Sequence, residues 1–153
     1  MKKYSKIIQV RWADIDYNRH VIHSAYYDYG SMVRVSFFND HGLTTAKMEE
    51  LKMGPIIFRE EALFKREIRL EDVIEMDFEL VQTNPEFSRW TIRHRITRED
   101  GTLAATLTIE GAWMDIEKRK LTVPAEFIRN VFEAIPKAAD FTIVSPSISP
   151  QRP

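Results

Sequence analysis

A short segment near the start of the chain brings together side chains that can do acid–base chemistry. Asp14, Asp16, His20 and His23 lie between an apolar, strand-like run and a helical pattern that begins near Ser24. A carboxylate in a strand-to-helix loop faces the N-terminal end of the helix, where backbone N–H groups lack partners and carry partial positive charge. The segment therefore favours hydrolytic chemistry, in which a carboxylate activates water and backbone amides hold a developing oxyanion.

Simpler interpretations compete at each of these positions. Loop aspartates commonly cap turns, and on the residues alone this interpretation is slightly favoured for Asp16. Asp14 and His20 are expected to be structural, whereas His23 is equally consistent with orienting a substrate and with a backbone contact. Carboxylate and imidazole groups are also metal ligands. Because all four fall in one short segment, chance co-occurrence is the better interpretation, and no metal or other cofactor is expected.

Composition narrows the class of protein. The chain has 153 residues, of which 44% are hydrophobic and 29% charged, as in a soluble globular domain. The net charge of −1 gives no reason to expect nucleic-acid binding. The absence of cysteine excludes disulfides, thiolate metal sites and a cysteine nucleophile. Residues 1–4 lead into no signal-peptide core, and no apolar run approaches the roughly 20 residues of a membrane span. A cytoplasmic location without a membrane partner is therefore expected.

The hydrophobic pattern predicts the elements that hold the segment. A first strand covers about residues 3–12, and a helix covers about 24–41 with Ser24 as its N-cap. Gly30 in mid-helix costs about 1 kcal/mol relative to alanine, which predicts a close neighbour there. A shorter helix at about 45–53, four antiparallel strands and a last helix with Pro124 in its first turn follow.

This order of elements predicts an α+β fold. Consecutive strands joined by tight turns form a meander, whose apolar face the long helix must cover. The expected fold is thus a five-stranded antiparallel sheet wrapped around a long central helix. Residues 1–140 form the single domain, and the Pro/Ser-rich residues 141–153 are expected to be a flexible tail.

Over about residues 4–135 the chain resembles hotdog-fold acyl-CoA thioesterases of the 4-hydroxybenzoyl-CoA thioesterase type. The family pattern is an aromatic residue, Asp/Glu-x-Asp, a Gly-containing turn, Val, a polar residue and a Tyr that opens the central helix. The residues on those positions here are Arg11-Trp12, Asp14, Asp16, Val21, His23 and Tyr26, and Phe64 and Asp72 match a weaker second pattern.

The resemblance implies hydrolysis of an acyl-CoA thioester to free acid and coenzyme A, without a cofactor. It implies that Asp16 is the catalytic base or nucleophile. His23 is the second expected catalytic residue, which would orient the substrate or polarise the thioester carbonyl. It also implies a homodimer or homotetramer with active sites at the subunit interface. The expected substrate-binding residues are Val21, Tyr26, Arg19 and Glu61.

Two departures from the family pattern bear on the site. Arg19 replaces the usual loop glycine, and Ala25 replaces an Asn that often precedes the helix Tyr. Arg19 is expected to narrow the entrance or to contact a phosphate, unless the loop follows a different path and the activity is altered.

Basic residues near the second strand supply candidate contacts for the phosphates of coenzyme A, but acidic neighbours make surface ion pairing the better interpretation for most of them. These residues are Arg59, Lys65, Arg66 and Arg69, with a second row at Arg89, Arg93 and Arg95. Two other functions fit the same fold, namely a non-catalytic protein that binds an acyl thioester and a dehydratase or hydratase. A binder would tolerate Asn at position 16, and a dehydratase needs a pocket His, for which His23 is the candidate.

Overall fold

The computed structural model describes residues 3–145, in which three α-helices accompany one sheet. The helices are α1 (His23–Asp40), α2 (Thr45–Leu51) and α3 (Glu126–Glu133). The strands are β1 (Ser5–Gln9), β2 (Met53–Phe64), β3 (Val73–Asp77), β4 (Glu79–Thr83), β5 (Arg89–Arg98), β6 (Leu103–Asp115), β7 (Lys120–Leu121) and β8 (Lys137–Ile143). A short 3-10 helix, Trp12–Asp14, follows β1.

The sheet is built around β5, which pairs with β3 and β4 on one side and with β6 on the other. β1 pairs with β3, β8 pairs with β4, and β2 and the short β7 pair with β6. Alternation along β5 buries Trp90, Ile92, His94 and Ile96 on one face. α1 contacts β1, β2, β3 and β6, and its buried aromatic residues complete the core. This arrangement confirms the predicted α+β hotdog class.

The prediction of five antiparallel strands is corrected, because the sheet has eight strands within residues 3–145. Met76, Phe78 and Leu80 alternate with Asp77 and Glu79, which predicts one continuous strand, but the structure divides it at Phe78 into β3 and β4. Lys120–Leu121 adds β7, and residues after the last helix add β8. The β4–β8 pair is parallel, and α3 lies between β7 and β8 in the chain.

Helix α1 begins one residue before the predicted start, and the predicted N-cap is wrong. Ile22 is the N-cap residue and supplies no side-chain hydrogen bond, whereas Ser24 lies inside the first turn. Gly30 has the close neighbours that its position predicted: a Cβ there would lie 3.2 Å from Arg34 Nη1, 3.2 Å from Leu107 and 3.3 Å from His94.

The C-terminal boundary predicted at residue 140 falls inside β8, which pairs as far as Ile143. The remainder of the predicted tail, residues 146–153, lies outside the described residues. Within residues 3–145, no helix is both long enough and apolar enough to cross a membrane.

Candidate functional site

The loop between the 3-10 helix and α1 closes on itself as a tight turn. The Asp16 N–H donates to the His20 carbonyl (2.9 Å), and the Arg19 N–H donates to the Asp16 carbonyl (3.0 Å). Ile15 and Val21 form an isolated antiparallel bridge at the base of this turn. The backbone therefore holds Asp16 in a fixed position beside the start of α1.

The two oxygens of the Asp16 carboxylate have different surroundings. Oδ1 accepts hydrogen bonds from the N–H groups of Asn18 (2.8 Å) and His20 (3.3 Å). Oδ2 accepts none from any residue between 3 and 145. One oxygen thus caps the turn, as the simpler interpretation of the sequence requires, and the other is available to water or substrate.

Asp14, by contrast, is only 4% exposed and is turned into the protein. Its carboxylate accepts hydrogen bonds from Arg11 Nη2 (2.8 Å), the Arg11 N–H (3.2 Å) and the Tyr29 hydroxyl (2.8 Å). Burial acts to raise the pKa of Asp14, but the hydrogen bonds from Arg11 and Tyr29 outweigh it, and the pKa lies below its usual value. Asp14 therefore joins the loop to Arg11 and to Tyr29 of α1.

The N-terminal end of α1 offers free backbone donors. The N–H groups of Val21, Ile22 and Ala25 donate to Ile68, Asp14 and Ile22 carbonyls, respectively, at 2.7–3.0 Å. Those of His23 and Ser24 have no acceptor within the described part of the chain. Because no side chain caps the helix, two unpaired donors remain at its positive end. Of the backbone donors expected at the N-terminal end of the helix, these two are the ones left without an acceptor in residues 3–145.

A cavity of about 340 Å³, here called the loop cavity, lies against this region. Asp16, Val21, His23 and Tyr26 all line it, so four of the predicted site residues share one space. Phe64, at the end of β2, contacts Tyr26 edge-on with ring centroids 4.9 Å apart. Burial first, and then the charge of Asp16, raise the pKa of the Tyr26 hydroxyl. The remaining lining residues are His20, Lys65, Arg66 and Glu67.

A second cavity, of about 470 Å³, lies on the other side of the same loop. We call it the tryptophan cavity, because Trp12 lines it together with Ile15, Asn18, Arg19, Arg69, Leu70 and Glu71. Asp16 and His20 line both cavities. Of the predicted residues, Arg19 therefore faces a different space from Tyr26, although Asp16 borders the two spaces.

His20 connects the loop to the segment that follows β2. Its Nε2 lies 2.8 Å from Glu67 Oε2, and the Val21 N–H donates to the Ile68 carbonyl at 2.7 Å. Glu67 also pairs with Arg69 at 2.6 Å. These contacts hold the loop against the residues that line both cavities.

The structure places Glu61 away from the two cavities. Its carboxylate pairs with Arg59 at 2.7 Å on the face of β2 opposite α1. Glu60, which has the alternate orientation, points toward α1, where its Oε2 lies 3.7 Å from Arg34 Nη2. Neither glutamate lines the loop cavity, and the substrate contact expected of Glu61 is not supported by this geometry.

The basic residues considered as phosphate contacts differ in whether a carboxylate neutralises them. Arg59 and Arg69 pair with carboxylates, and so do Arg93 and Arg95, while Arg89 stacks over Phe58. Lys65 and Arg66 are exposed, and in residues 3–145 their side chains form no ion pair. These two unneutralised cations line the loop cavity.

The four acid–base side chains of the segment do not converge on one point, because Asp14 is turned inward and His20 is paired with Glu67. In the described ranges, no group of three or more His, Cys, Asp or Glu side chains is placed to hold a metal ion.

Sequence reasoning missed a buried polar cluster behind the site. Arg34 Nη1 lies 3.0 Å from His94 Nε2, and His94 Nδ1 lies 2.7 Å from the Asp77 carbonyl. Because arginine only donates, His94 Nε2 must accept and Nδ1 must carry the proton. Burial, with the Arg34 charge adding to it, lowers the pKa of His94 to about 3. The sequence contained one indication of this cluster, because the alternation of β5 places His94 on the buried face of the strand.

Comparison with known proteins agrees with this architecture. The sequence profile of the thioesterase-like superfamily matches residues 10–132. Among curated proteins, no sequence match is found.

Solved structures similar to this chain include several described as thioesterases. A Staphylococcus aureus protein in complex with CoA is 23% identical, with a TM-score of 0.79 over 99% of this chain and 96% of its own. A 1,4-dihydroxy-2-naphthoyl-CoA thioesterase from Synechocystis is 13% identical, with a TM-score of 0.78 over 87% and 97% of the two chains. A probable thioesterase from Escherichia coli is 19% identical, with a TM-score of 0.72 over 88% and 99%. At these identities the likeness shows the fold.

Proposed function

Because the chain belongs to the thioesterase-like superfamily, we propose that it hydrolyses an acyl-CoA thioester to a free acid and coenzyme A. One observation carries the proposal. The Asp16 carboxylate, with one oxygen free, borders the loop cavity beside the two unpaired N–H groups that begin α1. A carboxylate and an oxyanion-binding site are the two elements that such a hydrolysis requires.

In this proposal the thioester carbonyl oxygen lies against the His23 and Ser24 amides. Each well-aimed donor of this kind is worth about 3 kcal/mol in comparable sites. Asp16 Oδ2 either takes a proton from water, whose oxygen then attacks the carbonyl carbon, or attacks that carbon directly. The carbon–sulfur bond breaks, and the coenzyme A thiolate leaves without needing a strong general acid. With direct attack, water then hydrolyses the acyl-Asp16 anhydride.

Three further side chains of the loop cavity have roles in the proposal. His23 is exposed at the cavity and orients the thioester or polarises its carbonyl. Val21 and Tyr26 form the wall beside the reacting atoms. The Tyr26 hydroxyl is neutral near pH 7 at the ordinary tyrosine pKa of about 10, and burial and then Asp16 raise that pKa further.

The phosphates of coenzyme A are assigned to Lys65 and Arg66. These side chains border the loop cavity and, among the described residues, are not neutralised by a carboxylate. The other candidates of the second strand already have acidic partners, since Arg59 pairs with Glu61 and Arg69 pairs with Glu67.

A thiol-release assay over a panel of short-chain, long-chain and aromatic acyl-CoAs tests the function. We expect at least one acyl-CoA to be hydrolysed well above its uncatalysed rate. If the protein binds acyl-CoA but releases thiol from no member of the panel, it is a non-catalytic binder and the proposal is wrong.

We further propose that the protein is a homodimer or homotetramer joined through β2. This strand has 12 residues and pairs only with β6 among the described strands, so one edge is open. Its side chains include Leu63 and Phe64, each 52% exposed. A long open strand edge with exposed apolar side chains is a liability in a monomer and is normally covered. Phe64 also lines the loop cavity, so a partner covering β2 would border the site.

Light scattering at micromolar concentration should therefore report a dimer or a larger assembly. Leu63→Lys should weaken that assembly, because it places a charge on the covered edge. Leu121→Lys, on the exposed β7, is the matched control and should leave the mass unchanged. A wild-type monomer, or equal masses for wild type and Leu63→Lys, would contradict the assignment of β2 to the interface.

A further inference from the structure

Arg19 has a backbone conformation that normally favours glycine. Its φ is +65°, in the left-handed region, where a side chain meets the backbone unfavourably. The replacement of the family's glycine thus keeps a conformation that glycine adopts freely, and the loop does not need a different path. Arg119 has the same conformation, with φ +58°, at the β6–β7 turn. The backbone conformation therefore does not assign a role to Arg19. Its role depends on the groups that surround its side chain.

Those surroundings are a cavity whose lining combines apolar and aromatic side chains with polar and charged ones. Trp12, which is 77% exposed, lines the tryptophan cavity together with Ile15 and Leu70. A volume of about 470 Å³ is within the range of ligand sites. Asp16 borders this space as well as the loop cavity, so a substrate whose thioester lies at Asp16 can extend into either one.

The charges around the tryptophan cavity leave Arg19 without a fixed partner. Arg69, the other cation that lines it, is neutralised by Glu67 at 2.6 Å. The carboxylates that line it are Asp16 and Glu71. Within residues 3–145 the Arg19 guanidinium forms neither a hydrogen bond nor an ion pair with these or any other groups.

We propose that Arg19 binds an oxyanion of the substrate in the tryptophan cavity. The guanidinium presents a planar set of donors that fits carboxylate and phosphate equally well. The oxyanion is a carboxylate at the far end of the acyl group or a phosphate of coenzyme A other than those held by Lys65 and Arg66. The inference rests on the proposed function for the identity of the substrate, and it adds a specificity-determining residue outside the loop cavity.

Binding measurements with non-hydrolysable thioethers test the inference independently of turnover. Isothermal titration calorimetry measures the affinities of wild type and Arg19→Gly for coenzyme A, S-butyl-coenzyme A and S-(4-carboxybutyl)-coenzyme A. Arg19→Gly keeps the loop conformation and removes the cation. Arg119→Gly makes the same backbone change far from the loop, and it should bind all three ligands as wild type does. Arg19→Lys keeps a positive charge and should retain part of the affinity.

We expect Arg19→Gly to weaken binding by about 10-fold or more, in line with a charge-assisted hydrogen bond. An equal loss for all three ligands identifies a coenzyme A phosphate, and a loss confined to the carboxybutyl thioether identifies an acyl carboxylate. Unchanged affinity for all three, or equal losses in Arg19→Gly and Arg119→Gly, would overturn the inference. If no acyl-CoA is hydrolysed, the proposed function fails while these affinities still decide the role of Arg19.

Discussion

Gly111→Ala is expected to lower the free energy of unfolding by about 3 kcal/mol or more, at the upper end of the cost of overpacking a core. A Cβ at this position would lie 2.4 Å from the Ile56 carbonyl oxygen and 2.4 Å from the Trp90 ring. Gly111 lies on β6 between β2 and β5, opposite Ile57 and Trp90. The methyl group cannot be accommodated by a rotamer change alone, because one of the contacts is backbone.

Urea denaturation of the two proteins measures this loss. Gly54→Ala is the matched control, since a Cβ there meets only Ile116 side-chain atoms at 3.5–3.6 Å, and it should change stability little. Should Gly111→Ala unfold at the same urea concentration as wild type, the close approach of β2 and Trp90 to Gly111 would be incorrect.

Asp16→Asn is expected to reduce kcat/KM for thioester hydrolysis by about 100-fold or more, the typical worth of an acid–base group. The amide oxygen can replace Oδ1 and still accept from the Asn18 and His20 N–H groups, so the turn should persist. The amide nitrogen replaces Oδ2, the oxygen with no partner in the described structure. The variant therefore loses the charge that attacks or deprotonates water, and its melting temperature should move little.

Asp14→Asn is the control for this result, because it makes the same chemical change two residues away. The buried Asp14 carboxylate accepts hydrogen bonds from Arg11 and Tyr29. The NH2 group of an asparagine at this position would face one of these donors and could not accept its hydrogen bond. We expect a stability loss of about 1–3 kcal/mol and a smaller effect on rate. Thermal melts and steady-state thiol release on both variants measure the two effects. Near-full activity in Asp16→Asn would remove Asp16 from the mechanism.

The sequence predicted the parts of the fold that depend on local pattern. The alternation along β5 and the helical spacing from Tyr26 to Phe37 each mark one buried face, and both faces are buried as expected. Strand β8 was not predicted, because its pairing with β4 depends on the path of the chain through α3 rather than on its own residues. The division at Phe78 is equally non-local, since one residue interrupts an otherwise continuous pattern.

The candidate site was predictable only in part for a related reason. The position of Asp16 beside a helix N-terminus follows from element order. The unpaired His23 and Ser24 amides do not, because the sequence favoured Ser24 as a capping residue. The inward turn of Asp14 depends on Tyr29, a contact 15 residues away. The separation of Arg19 and Tyr26 into two cavities likewise depends on segments distant in sequence.

The most direct test of the account is a single-turnover measurement with enzyme in excess over its best acyl-CoA substrate. Rapid quenching then reports the breaking of the thioester bond without product release. The proposed mechanism predicts one exponential phase for wild type and a rate about 100-fold or more lower for Asp16→Asn at equal occupancy. Equal first-order rates for the two proteins would contradict it, because a carboxylate at position 16 would then have no part in the chemical step.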